Sequence, residues 1–405
     1  MAATPPNVHP RVQRADWARR RFGSLAEPVF RAVDRCDPLA DTLVGYLMDE
    51  ERSFDIERGW RDYRAGTLQL EPALALFAEV AATPPWVDWT RIERAPRLFQ
   101  RSAMFGALVL KYRSLLAGYA SPAGTKPLMF TGRLQEQTAR RLAETTRFVT
   151  AVCAPGGMRP GGEGWLISLQ VRLMHAQVRR LLRASGKWDG SRWGEPVNQH
   201  DMLGTKLLFS EVFIEGLRRC GFLVSQEEAE DWIHLWNLVA WLMGTDADLL
   251  PADHAQAVAL SELIRGTQSV ADDDGRALAS ALMRTAPPRL TDVSPRVERL
   301  RRRLSDELAR MLVGDDIADQ LALGRDRRAR AVVRWMPRVV GLVERTRTRI
   351  PALDQPMLEL GARQWRRIEH LVLQGVPADF RRPTRLRPHE RARERSVTDR
   401  RPLRV

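Results

Sequence analysis

Apolar residues recur along this chain at intervals of three and four, the spacing that lines one face of a helix rather than one face of a strand. The longest unbroken run is Trp165 to Leu182, reading WLISLQVRLMHAQVRRLL. The same spacing predicts helices over residues 12–22, 27–35, 39–51, 73–82, 98–120, 132–153 and 198–220. It predicts more over 226–243, 255–265, 274–284, 294–312, 327–348 and 357–374. Local chemistry marks several ends. Pro72 follows Glu71 in a first turn, where a missing N–H costs little. Thr83-Pro84-Pro85 stops that helix. Ser225 with Glu228 has the spacing of a capping box. Gly156-Gly157, Pro160 and Gly161-Gly162 break the pattern between the helices at 132–153 and 165–182, so those two are expected to pack face to face. No alternating strand pattern and no fixed-period repeat is present, and the expected fold class is all-α.

Composition bounds the rest. At 405 residues the chain is long enough for one large helical domain with appendages, or for two lobes. Hydrophobic residues make up 44% and charged residues 28%, the balance of a globular protein. No stretch of about 18 apolar residues is free of charge; residues 104–120 contain Lys111 and Arg113. Arg19-Arg20-Arg21-Phe22 has the form of a twin-arginine signal, but Glu27, Pro28 and Arg31 stand where its apolar region belongs. The formal charge of +14 would suit nucleic acid. Of the 64 basic residues only four are lysine, however, and residues 381–405 alone carry ten Arg against three acids. That distribution describes a basic tail rather than a phosphate-binding face. Residues 1–10 and 377–405 are expected to be disordered. Cys36, Cys153 and Cys220 are too few and too scattered for a disulfide framework or a zinc site, which points to a cytoplasmic, reducing location.

The candidate chemistry centres on His175, the single histidine of the longest run. On a helix it shares a face with Ser168, Val171, Arg172, Val178, Arg179 and Leu182. An imidazole among aliphatic groups, with guanidinium groups a turn away, suits an axial iron ligand beside haem propionates; a hydrogen-bonded core histidine is the plainer alternative. Arg141 and Thr145, on the preceding helix, would lie across a slot from it. Asp231 and His234 have a di-iron spacing but no second pair. His200, His254 and His370 read as helix-end or surface residues, and Cys153 as a buried structural thiol.

Several ordered pieces carry a family resemblance: Pro85-Trp86-Val87-Asp88, Arg141 with Thr145, Val171-Arg172-Leu173-Met174-His175-Ala176-Gln177-Val178-Arg179, and Asn198-Gln199-His200-Asp201-Met202 with Thr205 and Phe209. Gly216-Leu217 and Trp236 with Gly244 follow in the same order. The chain resembles the latex-clearing protein or rubber oxygenase group of haem oxygenases, most closely over residues 60–270. The resemblance implies a globin-like helical core around non-covalent haem b, with 60–376 as the oxygenase-like domain and 11–59 as a helical extension. It implies His175 as the axial iron ligand, Arg141 and Thr145 bordering dioxygen, and Arg179, with Arg172, toward the propionates. Where rubber-cleaving members carry a lysine before the threonine, this chain has Glu144, so a lysine-ligated iron is not implied. Their upstream glutamate has no match by spacing; the nearest acid is Glu136. Glu144 or Glu136 would take an allylic proton if burial raised its pKa. The expected function is haem-dependent oxygenation or oxidative cleavage of an apolar, unsaturated substrate of the isoprenoid kind, small or polymeric, with dioxygen as co-substrate and an unidentified electron donor. The alternatives are a non-catalytic haem protein that binds oxygen, and a cofactor-free helical scaffold whose basic tail docks on an acidic partner.

Overall fold

The computed structural model describes residues 8–131, 134–285 and 294–373 with Phe380 and Leu386; the side chains of residues 131 and 134–137 lie outside that description. Every regular element among the described residues is helical, so the fold is all-α. The elements that frame the centre are α1 (Pro38–Asp49), α2 (Pro96–Val109), α3 (Leu134–Val152), α4 (Glu163–Ala184), α5 (Gln199–Phe209), α6 (Gln226–Leu242), α7 (Met336–Arg349) and α8 (Asp354–Leu373). Local signals start several of them. Asp37 caps α1, accepting from the Ala40 amide at 3.3 Å, and Asn198 caps α5, accepting from the Asp201 amide at 2.9 Å. The capping box of α6 is complete, each partner of Ser225 and Glu228 bonding the other's backbone. Each cap satisfies an amide that the helix geometry leaves without a partner.

Helix α4 packs against α1, α3 and α6, while α8 packs against α2 and α3. The glycine break thus brings the helices on either side of it together. Gly244, just after α6, has a φ of +86°, and a Cβ there would lie 2.2 Å from Asp37 Oδ2. Only glycine both adopts that backbone and leaves the Asp37 carboxylate room to hold Arg172.

Three expected helices are interrupted. The span 98–120 kinks at Ala103, whose φ and ψ are 41° and −118°, and its α form ends at Val109; Leu110–Leu115 forms a wider π turn, and Leu116–Tyr119 resumes the α form. The extra residue in a π turn rotates the side chains beyond it. Lys111 thereby reaches the Thr285 carbonyl at 2.8 Å and Arg113 reaches Glu215 at 3.1 Å, so two cations that a regular core helix could not satisfy both find partners. The span 198–220 breaks at Ser210, whose φ and ψ are −108° and −87°; its hydroxyl bonds the Lys206 carbonyl at 2.9 Å, a side-chain competitor for the helical ladder. The span 327–348 divides into Arg327–Val333 and α7, because Pro337 can open a helix but not continue one. Ile56–Arg64, Trp89–Arg94 and Pro122–Thr131 are additional helices that the spacing of apolar residues did not predict. No helix among the described residues is long and apolar enough to cross a membrane. Most of the expected tail lies outside the described residues, yet Phe380 is buried in the core cluster.

Candidate functional site

Between α3, α4, α5, α8 and the π turn lies a cavity of about 1240 Å³, larger than most small-molecule sites, which hold about 300–1,000 Å³. Leu108, Leu128, Phe148, Val171, Leu208 and Ile368 are among the apolar groups on its wall. Its polar lining includes His175, Arg141, Thr145, Glu144, Tyr119 and His200. Residues separated by the glycine break in sequence therefore share one chamber.

The apolar face of α4 turns Trp165, Leu169, Leu173 and Ala176 into the core and leaves His175 on the cavity side. The ring is only partly accessible, and its Nδ1 is buried without a hydrogen-bond partner. Burial first, and the Arg179 charge second, push its pKa down to about 4, with Asp37 opposing weakly. The imidazole is consequently neutral near pH 7, the form in which a ring nitrogen can donate a lone pair to a metal. A core histidine retained for packing alone would be expected to spend its polar atoms on hydrogen bonds; this one does not.

On the facing helix, Arg141 has a buried Nε that also lacks a partner. Burial pushes the Tyr119 phenol upward, and the Arg141 charge pulls it down, which places that charge near Tyr119 on the same wall. Thr145 lies one turn along α3. Glu144 also faces the cavity, but Arg140 Nε donates to it at 2.9 Å, so its carboxylate is already engaged. The Glu136 side chain lies outside the described residues.

The two arginines of α4 differ from each other. Arg172 is not on the cavity wall. Its Nε and Nη2 donate to Asp37 at 2.7 and 2.9 Å, and its Nη1 donates to Glu79 at 2.7 Å. Two carboxylates use its donors, and the expectation that it reaches a propionate is corrected on that ground. Arg179 donates to Asp41 at 2.6 Å and to the Val197 carbonyl at 3.3 Å, while its Nη2 is buried and unpartnered. Val197 is on the cavity wall, so Arg179 holds a wall residue from behind; like Arg172, it does not line the cavity itself.

Other histidines differ from their sequence reading. His200 and His254 do stand at helix starts, but both are buried. His200 lines the cavity with its Nδ1 3.3 Å from Arg11 Nη2, and Arg11 also donates to Asp201 at 3.1 Å. Burial and the Arg11 charge lower the His200 pKa. His234 Nε2 accepts from the Asp88 amide at 2.9 Å, and Asp231 is held by Arg91 at 3.2 Å and by Arg94. Among the described residues no group of three His, Cys, Asp or Glu side chains is arranged to hold a metal ion. Cys153 is buried, which raises its thiol pKa well above the ordinary value, as fits an inert thiol. Arg11, Tyr119, His200 and Trp365 are wall or support residues that sequence reasoning missed. Only the cluster Asn198-Gln199-His200-Asp201 carried any local signal.

Residues 97–342 match the family model described as "ER-bound oxygenase mpaB/B'/Rubber oxygenase, catalytic domain". The chain belongs to this oxygenase family. One relative is the "Rubber oxygenase" of Streptomyces sp. (strain K30), 22% identical over 244 residues, or 60% of this chain. The matched part spans 58% of that relative's length. Among solved structures, "Structure of Latex Clearing Protein LCP in the closed state" superposes with a TM-score of 0.65 at 20% identity, covering 85% of this chain and 92% of that one. At that identity the superposition establishes a shared helical fold. The match to the oxygenase family includes α3, α4 and α5, and so includes His175, Arg141 and Thr145. Helix α8, which supplies part of the chamber's wall, lies beyond it.

Proposed function

We propose that this protein is a haem b-dependent oxygenase of an apolar, unsaturated, isoprenoid-like substrate, with His175 as the axial ligand. The observation that carries the reading is a neutral imidazole with an unpartnered buried nitrogen on the wall of a large apolar cavity, facing a helix whose Arg141 Nε also lacks a partner. Each of these polar groups is costly to bury unsatisfied. Both residues line the same cavity, which supports a ligand held between the imidazole and the guanidinium. A porphyrin fits this chamber: one neutral imidazole on its wall, a mostly apolar lining, sufficient volume, and Arg141 as a lining cation; Arg179, one turn beyond His175, is the candidate for a propionate and would have to turn toward the cavity to reach it.

Haem, when bound, supplies the iron at which dioxygen is activated. The chain's own groups do the rest. Arg141 presents an N–H to negative charge developing on the reacting oxygen, and Thr145 offers a hydroxyl from the next turn. A substrate that filled the mostly apolar space beside them would displace water and strengthen these donors. Of the two acids expected as proton acceptors, Glu144 faces the chamber, and its partner Arg140 would have to release it first. The three free cysteines suit a reducing cytoplasm.

The test is haem content and oxygen consumption. Protein expressed with a haem precursor should show a Soret band, which His175→Ala should remove while leaving the helical circular dichroism unchanged. Arg141→Ala should keep the band and lower oxygen consumption with an isoprenoid by about 100-fold, the usual effect of losing one such donor. Colourless wild-type protein would overturn the haem assignment. Coloured protein that consumes no oxygen with any unsaturated apolar compound would make it an oxygen-binding protein.

A further inference from the structure

Helix α7 carries its apolar side chains on the wrong face for a core helix. Its inner side, Val340, Gly341 and Glu344, is buried. Glu344 accepts from Arg101 at 2.6 Å and from the Leu223 amide at 3.2 Å. The outer side, continued from the short helix Arg327–Val333 before it, presents Val332 at 63%, Trp335 at 64%, Val339 at 60% and Leu342 at 64% exposure. These residues follow one another at three- and four-residue steps and so form one stripe. Arg334, Arg338, Arg345 and Arg349 are exposed on the same segment, and the Arg338 guanidinium lies 4.9 Å over the Trp335 ring. The only acid between residues 327 and 349 is Glu344, which is turned inward.

We infer that this face is a docking surface for an anionic lipid bilayer, with Trp335, Val339 and Leu342 entering the boundary between headgroups and acyl chains and the arginines meeting lipid phosphates. A helix with aliphatic and Trp side chains on one strip and arginines along its flank is the form that lies in a membrane interface. Charge selects this occupant over two others. A second copy of the chain would bring two arginine-rich faces together. The chain's own tail, with ten Arg against three acids over residues 381–405, would add more charge of the same sign. An anionic membrane surface offers both the opposite charge and an apolar layer beneath it, and each basic residue near it adds to the attraction. The inference is independent of the haem assignment, because neither α7 nor its stripe touches His175.

Flotation of the full chain with lipid vesicles tests it. The protein should float with phosphatidylcholine vesicles containing phosphatidylglycerol and remain behind with phosphatidylcholine alone. The double variant Val339→Asp/Leu342→Asp should lower binding by about tenfold or more, and so should Arg334→Gln/Arg338→Gln/Arg345→Gln. All five positions are exposed, so unchanged thermal unfolding of both variants would show that folding is intact. A full-length protein with its ten tail arginines changed to glutamine should still float. Three results would overturn the proposal: no flotation with anionic vesicles, face variants that float like the unaltered protein, or a concentration-dependent dimer that Leu342→Asp abolishes.

Discussion

Individual side chains in this protein differ most in whether their polar atoms found partners. Arg172, Arg101 and Arg113 are buried and paired with carboxylates; His175 and Lys206 are buried and, at the atoms that matter, are not paired. Lys206 is 4% exposed, and burial pushes its pKa down from 10.5 to about 7, with Glu211 opposing. The folded chain therefore releases this proton near neutrality, while the unfolded chain keeps it until about pH 10.5. Between those values the unfolded state holds more protons, so stability rises with pH, and below the lower value the full penalty remains. Lys206→Met should stabilise the protein by about 2–4 kcal/mol near pH 6.5, and that gain should shrink toward about pH 10. Urea titrations at the two pH values check this; an equal gain at both would show that packing, not charge, is responsible.

Among the elements, helix α8 illustrates how one small residue sets a helix's position. Its Trp365 stacks on Phe99 with ring centroids 3.9 Å apart and donates to the Phe99 carbonyl at 2.7 Å. Gly361, one turn earlier, lies so close to α2 that a Cβ would stand 1.9 Å from the Gln100 carbonyl oxygen. Gly361→Ala cannot be absorbed by moving a side chain, because the obstacle is backbone. The expected cost is about 3 kcal/mol or more, read as a lower denaturation midpoint, while Arg366→Gly on the exposed side of α8 should cost about 1 kcal/mol. A Gly361→Ala protein as stable as the parent would mean that α8 is not held against α2 in this way. The elements most visible in the sequence were those with a chemical signature at an end: the capping box of α6, the proline near the start of the helix at Glu71–Ala81, and the glycine break before α4. The π turn was not visible. It answers to partners, Glu215 and the Thr285 carbonyl, that are far away in the chain.

For the whole molecule, the decisive feature is a chamber walled by segments remote from one another in sequence. Its wall draws on α3, α4 and α5 together with Trp365, Ile368, Leu371 and Phe380. The room it leaves for a substrate should therefore depend on α8 as well as on the helices around His175. Ile368→Trp is expected to weaken binding of a long fluorescent isoprenoid by about tenfold, roughly the effect of one misplaced side chain in an apolar pocket, and to leave a short analogue and any Soret band unchanged. Equal weakening of both probes would show that Ile368 does not select by length.

The all-α class, most helix positions and the central histidine could be read from residue order, because hydrophobic period, caps and breakers act within a few residues of one another. Residue order also put His175 and Arg141 on consecutive helices divided by glycines. How the two arginines of α4 spend their donors could not be read there. Arg172 and Arg179 are equivalent by spacing on α4, and the carboxylates that separate them arrive from Asp37, Asp41 and Glu79 on other helices. The same holds for His200, buried by Arg11 from the far end of the chain, and for the exposed stripe of α7, whose apolar pattern reads as core until the fold shows which side is covered. Periodicity tells which residues share a face; only packing of distant segments decides which face meets protein and which meets solvent.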